Sequence, residues 1–382
     1  MIVRNAVVMM PAGFDRDLSV RLFGDVISDT GNGISGTDGE REIDLEGDYL
    51  LPGFVDVHIH GFRGCDTMRG ENDIRKMSTE LAKVGVGAFC PTTMSAPDQE
   101  TVRALRDAYT VMQKPEKGGA RVLGVHMEAP FLSEERAGAQ QKEFLCDPNE
   151  TKLKELTGDL SAVRLITIAP ERKGSEYFIR SVTSAGIHVS IGHSNAEAEL
   201  VHQAGDWGAD HITHIFNAQT PIHHRSPGVP GAALTDERFY CEVICDGRHL
   251  HDDIVRMIIR CKSVGKAVAI TDAMEAAGMP EGRYMLGGRP VFVRNKTACL
   301  QDGTLAGSVL TMHEALYRLI HVYGIEPYTA CIMCTAAPAE SVGEKKAGHI
   351  TVGSPAILTR WTRDWQMKSV ITADGEICHY AC

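Results

Sequence analysis

The middle of the chain repeats one pattern of apolar and polar positions. A short apolar run ends in polar residues, and a segment with apolar side chains at helical spacing follows. The runs fall at 54–58, 87–92, 122–128, 165–169, 188–193, 211–216, 241–246 and 267–272. Between them lie helical patterns such as 101–109, where Val102, Leu105 and Tyr109 recur three and four residues apart. Strand and helix alternating eight times predicts an α/β protein with a TIM-like (β/α)8 barrel. A doubly wound open sheet is the competing arrangement, but no G-x-G-x-x-G follows the first run.

Both ends of the chain read differently. Residues 1–50 alternate short apolar runs with Gly, Asp and Asn turns and show no helical period. The last forty residues do the same, with apolar runs around Ile350, Leu358 and Val370. We therefore expect a small β-sandwich domain built from 1–50 and 345–382, and a barrel spanning 51–344.

Candidate chemistry sits at the ends of the runs, where barrels of this kind carry their active sites. Pro52-Gly53-Phe54-Val55-Asp56-Val57-His58-Ile59-His60-Gly61 leads an apolar strand into two histidines one residue apart. Side chains alternate faces along a strand, so His58 and His60 project together and could clamp a metal. Later runs end in His126-Met127-Glu128, Gly192-His193-Ser194-Asn195, Thr213-His214 and Thr271-Asp272-Ala273. A carboxylate such as Glu128 is costly at a buried strand end unless something positive faces it. Imidazole with carboxylate suits Zn, Fe, Co or Ni and disfavours Mg or Ca. Two subsites can be drawn: His58, His60 and Glu128, or Glu128, His193 and His214, with Glu128 bridging and Asp272 within reach of either.

Composition narrows the class. The chain is 382 residues long, 43% hydrophobic and 23% charged, which suits a soluble globular fold. A net charge of −11 argues against a general nucleic-acid binder, and no apolar stretch approaches membrane-spanning length. Met1-Ile2-Val3-Arg4-Asn5 lacks the apolar core of a secretion signal, and 11 cysteines are scattered through apolar runs. The expectation is a reducing cytoplasm. Cys331-x-x-Cys334 has no second pair at zinc-ribbon spacing and reads as two buried thiols one helical turn apart.

Taken together, these motifs resemble the amidohydrolase superfamily and, within it, the N-acetylglucosamine-6-phosphate deacetylase family. The residues that carry the likeness are 52–61, His126-Met127-Glu128-Ala129-Pro130-Phe131, Ile191-Gly192-His193-Ser194-Asn195-Ala196, His214-Ile215-Phe216-Asn217-Ala218, Asp246-Gly247-Arg248-His249, Thr271-Asp272-Ala273 and Leu305-Ala306-Gly307-Ser308. The resemblance implies a metal-dependent hydrolase releasing acetate from N-acetylglucosamine 6-phosphate in amino-sugar catabolism and cell-wall recycling. It implies a divalent transition metal, Zn or Fe, one or two per subunit. Glu128, His193 and His214 would hold the main ion, His58 and His60 a second, and Asp272 would touch metal and serve as general base and acid. The phosphate would lie on the backbone of Asn217 and Ala218, with Arg225 and His249. Ala139, Gln140 and Leu305 complete the expected substrate contacts. In the family that arginine reaches across from the neighbouring subunit, which implies a homodimer. No nucleic-acid or membrane partner is expected.

Two positions depart from the family pattern. Some relatives place a carbonyl-polarising histidine where this chain reads Gly138-Ala139-Gln140-Gln141, and Gln140 can donate a hydrogen bond but carries no charge. Gln219 stands where many relatives have an apolar residue, which would reshape the pocket floor. Competing readings are another amidohydrolase acting on an N-acyl or cyclic amide, and an inactive barrel used as a scaffold. Those relatives usually bridge their metals with a carboxylated lysine where this chain has Glu128, and scaffolds lose the ligand histidines retained here.

Overall fold

The computed structural model describes residues 1–158 and 160–378. The final residues of the expected terminal β segment, 379–382, lie outside the described residues. Eight parallel strands form the centre: β1 (Phe54–Ile59), β2 (Val86–Pro91), β3 (Val125–Met127), β4 (Val163–Ile168), β5 (His188–Ile191), β6 (His211–Ile212), β7 (Tyr240–Ile244) and β8 (Ala267–Ile270). Each coincides with one of the eight apolar runs. Strands β3 to β8 pair in sequence order, and β2 pairs with β1. Parallel bridges Thr92↔His126 and Ile59↔Ala273 join the two sheets at both seams, so the sheet curls into a TIM-like barrel.

The strands are buried on both faces because each lies between the barrel interior and a covering helix. All six residues of β1 are buried, and so are all six of β2. Helix α1 (Glu71–Lys83) shows how the cover is built. Its buried residues Ile74, Met77, Ser78, Leu81 and Ala82 recur at three- and four-residue spacing, while Glu71 and Asp73 oppose the helix dipole at its start. Burying each large apolar side chain contributes about 1.5–3 kcal/mol. Helix α2 (Asp98–Gln113) contains the 101–109 pattern.

Chain ends flank the barrel. Strand Leu358–Trp361 pairs antiparallel with Tyr49–Pro52, so segments from both ends share a six-stranded sheet. A four-stranded sheet from residues 2–44 lies beside it, and Val3, Val20, Leu22 and Ile27 join Leu50, Leu358 and Ile371 in one apolar cluster. The pattern reading missed one element. Strands Gly282–Leu286, Arg289–Arg294 and Thr297–Cys299 form a β insertion after β8. Cys331 and Cys334 are fully buried on one short helix (Pro327–Cys334), as two packed thiols should be. No helix among the described residues is long and apolar enough to cross a membrane.

Candidate metal centre and substrate cavity

At the C-terminal ends of β1, β3, β5, β6 and β8, one cluster gathers His58, His60, Glu128, His193, His214 and Asp272. Glu128 is at its centre and 2% exposed. Its Oε1 lies 3.1 Å from Nε2 of both His193 and His214 and 3.6 Å from His58 Nε2. Its Oε2 lies 3.4 Å from His60 Nε2. Asp272 Oδ1 is 3.2 Å from His60 Nε2 and 3.6 Å from His58 Nε2, which puts the aspartate on the His58/His60 side. Two metal-sized triads result, His58–His60–Glu128 and Glu128–His193–His214, sharing Glu128.

Tautomers follow from the outer contacts. His193 Nδ1 donates to the Arg136 carbonyl at 2.8 Å, and a carbonyl can only accept. His58 Nδ1 donates to Glu242 at 2.9 Å, and His60 Nδ1 to the Thr92 carbonyl at 3.3 Å. All three rings therefore turn Nε2 toward carboxylate oxygens, and His58 Nε2 has no hydrogen-bond partner. In the neutral rings acceptor faces acceptor, a conflict that either a cation or a further proton on the ring resolves. Among the described residues, no Lys or Arg pairs with Glu128, Asp272 or Glu242. This donor set fits a divalent transition cation, with Glu242, Thr92 and Arg136 fixing ligand orientation from behind.

The electrostatics agree. Burial alone would raise the Glu128 carboxyl, but His58, His193 and His214 hold it well below the ordinary carboxylate range. Burial alone would lower the His58 imidazole, yet Glu242, Glu128 and Asp272 push it up to about 10. Backbone strain also gathers here. His193, His214, Phe216, Ala218 and Asp272 all adopt positive φ, which costs roughly 1–3 kcal/mol each in non-glycine residues.

The cluster opens into a cavity of about 370 Å³. Ala139, Gln140, Asn217, Ala218, His249 and Leu305 line it beside His60, Glu128, His193, His214 and Asp272. His249 is braced by Asp246, which accepts from its Nδ1 at 2.8 Å and from its backbone N–H at 2.9 Å. The Asn217 N–H donates to the His214 carbonyl at 3.0 Å, inside the turn.

Arg225 lies elsewhere. It is exposed on a loop, its guanidinium 2.7 Å from His224 Nε2, and is absent from the cavity wall of this chain. Gln219 is not on the pocket floor either. Its side chain accepts from the Phe216 N–H at 2.9 Å and donates to the Thr213 carbonyl at 2.8 Å, holding the strained 213–216 turn. Gln140 is buried, with its Oε1 accepting from Ser95 N–H and its Nε2 donating to Glu128 Oε2, both at 2.7 Å. Its amide thus aims Glu128 as well as lining the cavity. His126, also at a strand end, turns inward and bonds Thr167 Oγ1 at 2.7 Å.

The motif reading missed Glu242 and Asp56. Glu242 accepts from His58 Nδ1 and, at 3.0 Å, from the His214 N–H. Asp56 accepts from Thr271 Oγ1 at 2.5 Å and so ties β1 to the end of β8. The available signal was a lone carboxylate inside each apolar run.

Known proteins place this architecture. The chain matches the amidohydrolase family over residues 49–374 and belongs to it. It is similar to the N-acetylglucosamine-6-phosphate deacetylase of Bacillus subtilis (strain 168), at 36% identity across 86% of this chain and 84% of that one. It is also 35% identical to the N-acetylgalactosamine-6-phosphate deacetylase of Escherichia coli O157:H7, over 80% of each. A solved structure of N-acetyl-D-glucosamine-6-phosphate deacetylase from Mycobacterium smegmatis, an Asp-to-Ala mutant in complex with N-acetyl-D-glucosamine-6-phosphate, superposes with a TM-score of 0.89. It is 27% identical and covers 99% of both chains.

Proposed function

We propose that this protein hydrolyses the acetamide of N-acetylglucosamine 6-phosphate, releasing acetate and glucosamine 6-phosphate in amino-sugar catabolism and cell-wall recycling. One observation carries the reading: a single cavity brings His60, Glu128, His193, His214 and Asp272 together with Asn217, Ala218 and His249. The ligand set suits Zn or Fe, with one ion at Glu128, His193 and His214 and room for a second at His58 and His60. A cation bound there supplies a water of lowered pKa and polarises the acyl carbonyl. Asp272 takes the proton of the attacking water and returns it to the departing amine nitrogen. Asn217, Ala218 and His249 hold the sugar phosphate, while Ala139, Gln140 and Leu305 enclose the sugar.

Arg225 is exposed on its own subunit, so its phosphate role requires a homodimer in which it enters the partner's cavity. The chain divides into a β-sandwich domain, 1–50 plus 345–382, and a barrel, 51–344. Free, largely buried thiols suit a cytoplasmic setting. A second reading, the galactose epimer of the substrate, is favoured by the likeness to the N-acetylgalactosamine-6-phosphate deacetylase.

The test is acetate release from both N-acetylhexosamine 6-phosphates and from unphosphorylated N-acetylglucosamine, with metal counted on the same sample. Release from the phosphorylated glucose-type sugar supports the reading. Release only from the galactose epimer replaces the substrate, and release from none despite bound metal removes the reaction.

A further inference from the structure

One side chain in the cavity wall has no role in the reading above. Arg136 is the only Lys or Arg among the described lining residues, in a cavity that also contains Glu128, Glu135 and Asp272. It is half-buried, and no carboxylate among the described residues forms an ion pair with it. Arg172 shows the ordinary alternative, with its Nε 2.8 Å from Asp147 Oδ1. The guanidinium is nonetheless held firmly. Its Nε donates to Asn195 Oδ1, and the Asn195 amide donates in turn to Glu135. Glu171 fixes Asn195 from below, accepting its backbone N–H at 2.6 Å. The Arg136 backbone is pinned as well, its carbonyl accepting from His193 Nδ1 at 2.8 Å. Only Nε is engaged, so both terminal amino groups remain for a ligand.

An unpaired, pre-positioned guanidinium in a protein of net charge −11 is poised for an oxyanion that arrives with the ligand. The cavity wall fits that purpose. A Cβ built on Gly138, two residues on, would lie 3.9 Å from the Ala218 Cβ and 3.6 Å from His193 Cε1. The Arg136 loop therefore borders both the 217–218 turn and the metal-type cluster. We infer that Arg136 is a phosphate-binding residue contributed by the same chain, giving the 6-phosphate a paired hydrogen-bond donor whether or not Arg225 arrives from a partner. This rests on the sugar-phosphate reading. In outline, Arg136 supplies the charge and the Asn195–Glu135 relay supplies its orientation.

The experiment pairs steady-state kinetics with calorimetric titration of inorganic phosphate, on the metal-loaded wild type and on Arg136→Ala, Arg136→Gln and Arg136→Lys. The inference expects Arg136→Ala to raise KM for the phosphorylated sugar and weaken inorganic phosphate by about 10- to 100-fold, and to change KM for the unphosphorylated sugar far less. Arg136→Gln can keep a donor to Asn195, so a loss equal to that of Arg136→Ala assigns the effect to charge. Arg136→Lys should recover part of it. Equal losses on both sugars, or unchanged phosphate affinity in Arg136→Ala, overturn the inference. If the wild type releases no acetate from any sugar yet Arg136→Ala still weakens phosphate, the reaction assignment falls and the anion site stands.

Discussion

At the scale of single residues, the centre separates groups that do chemistry from groups that aim them. Asp272 approaches His58 and His60, while Glu128, His193 and His214 form a triad that does not need it. Asp272→Asn should therefore retain metal and lose turnover by about 10²-fold or more, the usual reach of a lost general base. Metal analysis beside an acetate assay checks this, and a fully active variant removes Asp272 from proton transfer. Gln140 works through Glu128. Replacing it with Leu deletes the 2.7 Å bond to Oε2 and leaves that oxygen free to turn. Metal affinity should fall about 10- to 100-fold, as when outer-shell partners are lost elsewhere, and titration of the metal-stripped variant measures it directly. An unchanged affinity would leave Gln140 a wall residue only. The candidate ligand histidines were legible in the sequence because His-x-His and isolated His at run ends break an apolar pattern. Glu242 and Asp56 break it equally, but they sit mid-run, where alternation suggests a solvated face. Only the closed barrel shows that both faces are buried.

At the scale of elements, the strands could be read because burial on both faces makes them nearly continuous apolar runs. Boundaries were less legible. The run 122–128 is split: Gly124 at φ +137° separates Arg121–Val122, which pairs with β2, from β3, which pairs with β4. The insertion at 282–299 escaped because its alternation resembles that of any surface loop. At the base of the barrel, away from the cavity, Asp210 links the starts of β5 and β6, each of its oxygens 2.7 Å from the Nδ1 of His188 or His211. Burial alone would raise this carboxyl, but His211 and His188 hold it below the ordinary value. A carboxyl depressed by folding adds stability above about pH 4 that is lost as the pH falls toward its folded-state value. Asp210→Asn should thus lower stability at neutral pH and flatten the acid limb of a denaturation series; parallel limbs would show that the link contributes nothing. The helix Met312–His321 begins with a reciprocal capping box between Thr311 and Glu314. Thr311→Ala should cost about 1 kcal/mol in urea unfolding and leave acetate release unchanged.

For the whole molecule, the centre acts as a tie. Its candidate ligands come from the ends of β1, β3, β5, β6 and β8, so a cation at Glu128, His193 and His214 would link three strands, and a second at His58 and His60, beside Asp272, would extend the link to five of the eight. Without a cation, three buried carboxylates, Glu128, Asp272 and Glu242, face imidazole nitrogens and no Lys or Arg. Part of that charge would then be met by protons on the histidines, as the elevated value of His58 indicates. Each such proton joins one ring to one carboxylate, whereas a cation draws several ligands to a single point. Stripping metal with a chelator should therefore abolish turnover and lower the melting temperature of the whole domain. Free metal at a hundredfold its Kd restores about 2.7 kcal/mol of stability by mass action. Calorimetry of the stripped, reloaded and Glu128→Gln proteins separates the causes. Reloading should raise the melting temperature of the wild type and barely move that of Glu128→Gln, whose bridging charge is gone. If stripped and reloaded wild type melt alike while turnover returns, the ion serves chemistry alone and the strained strand ends are held by packing and by the Asp56–Thr271 and Glu242–His58 bonds.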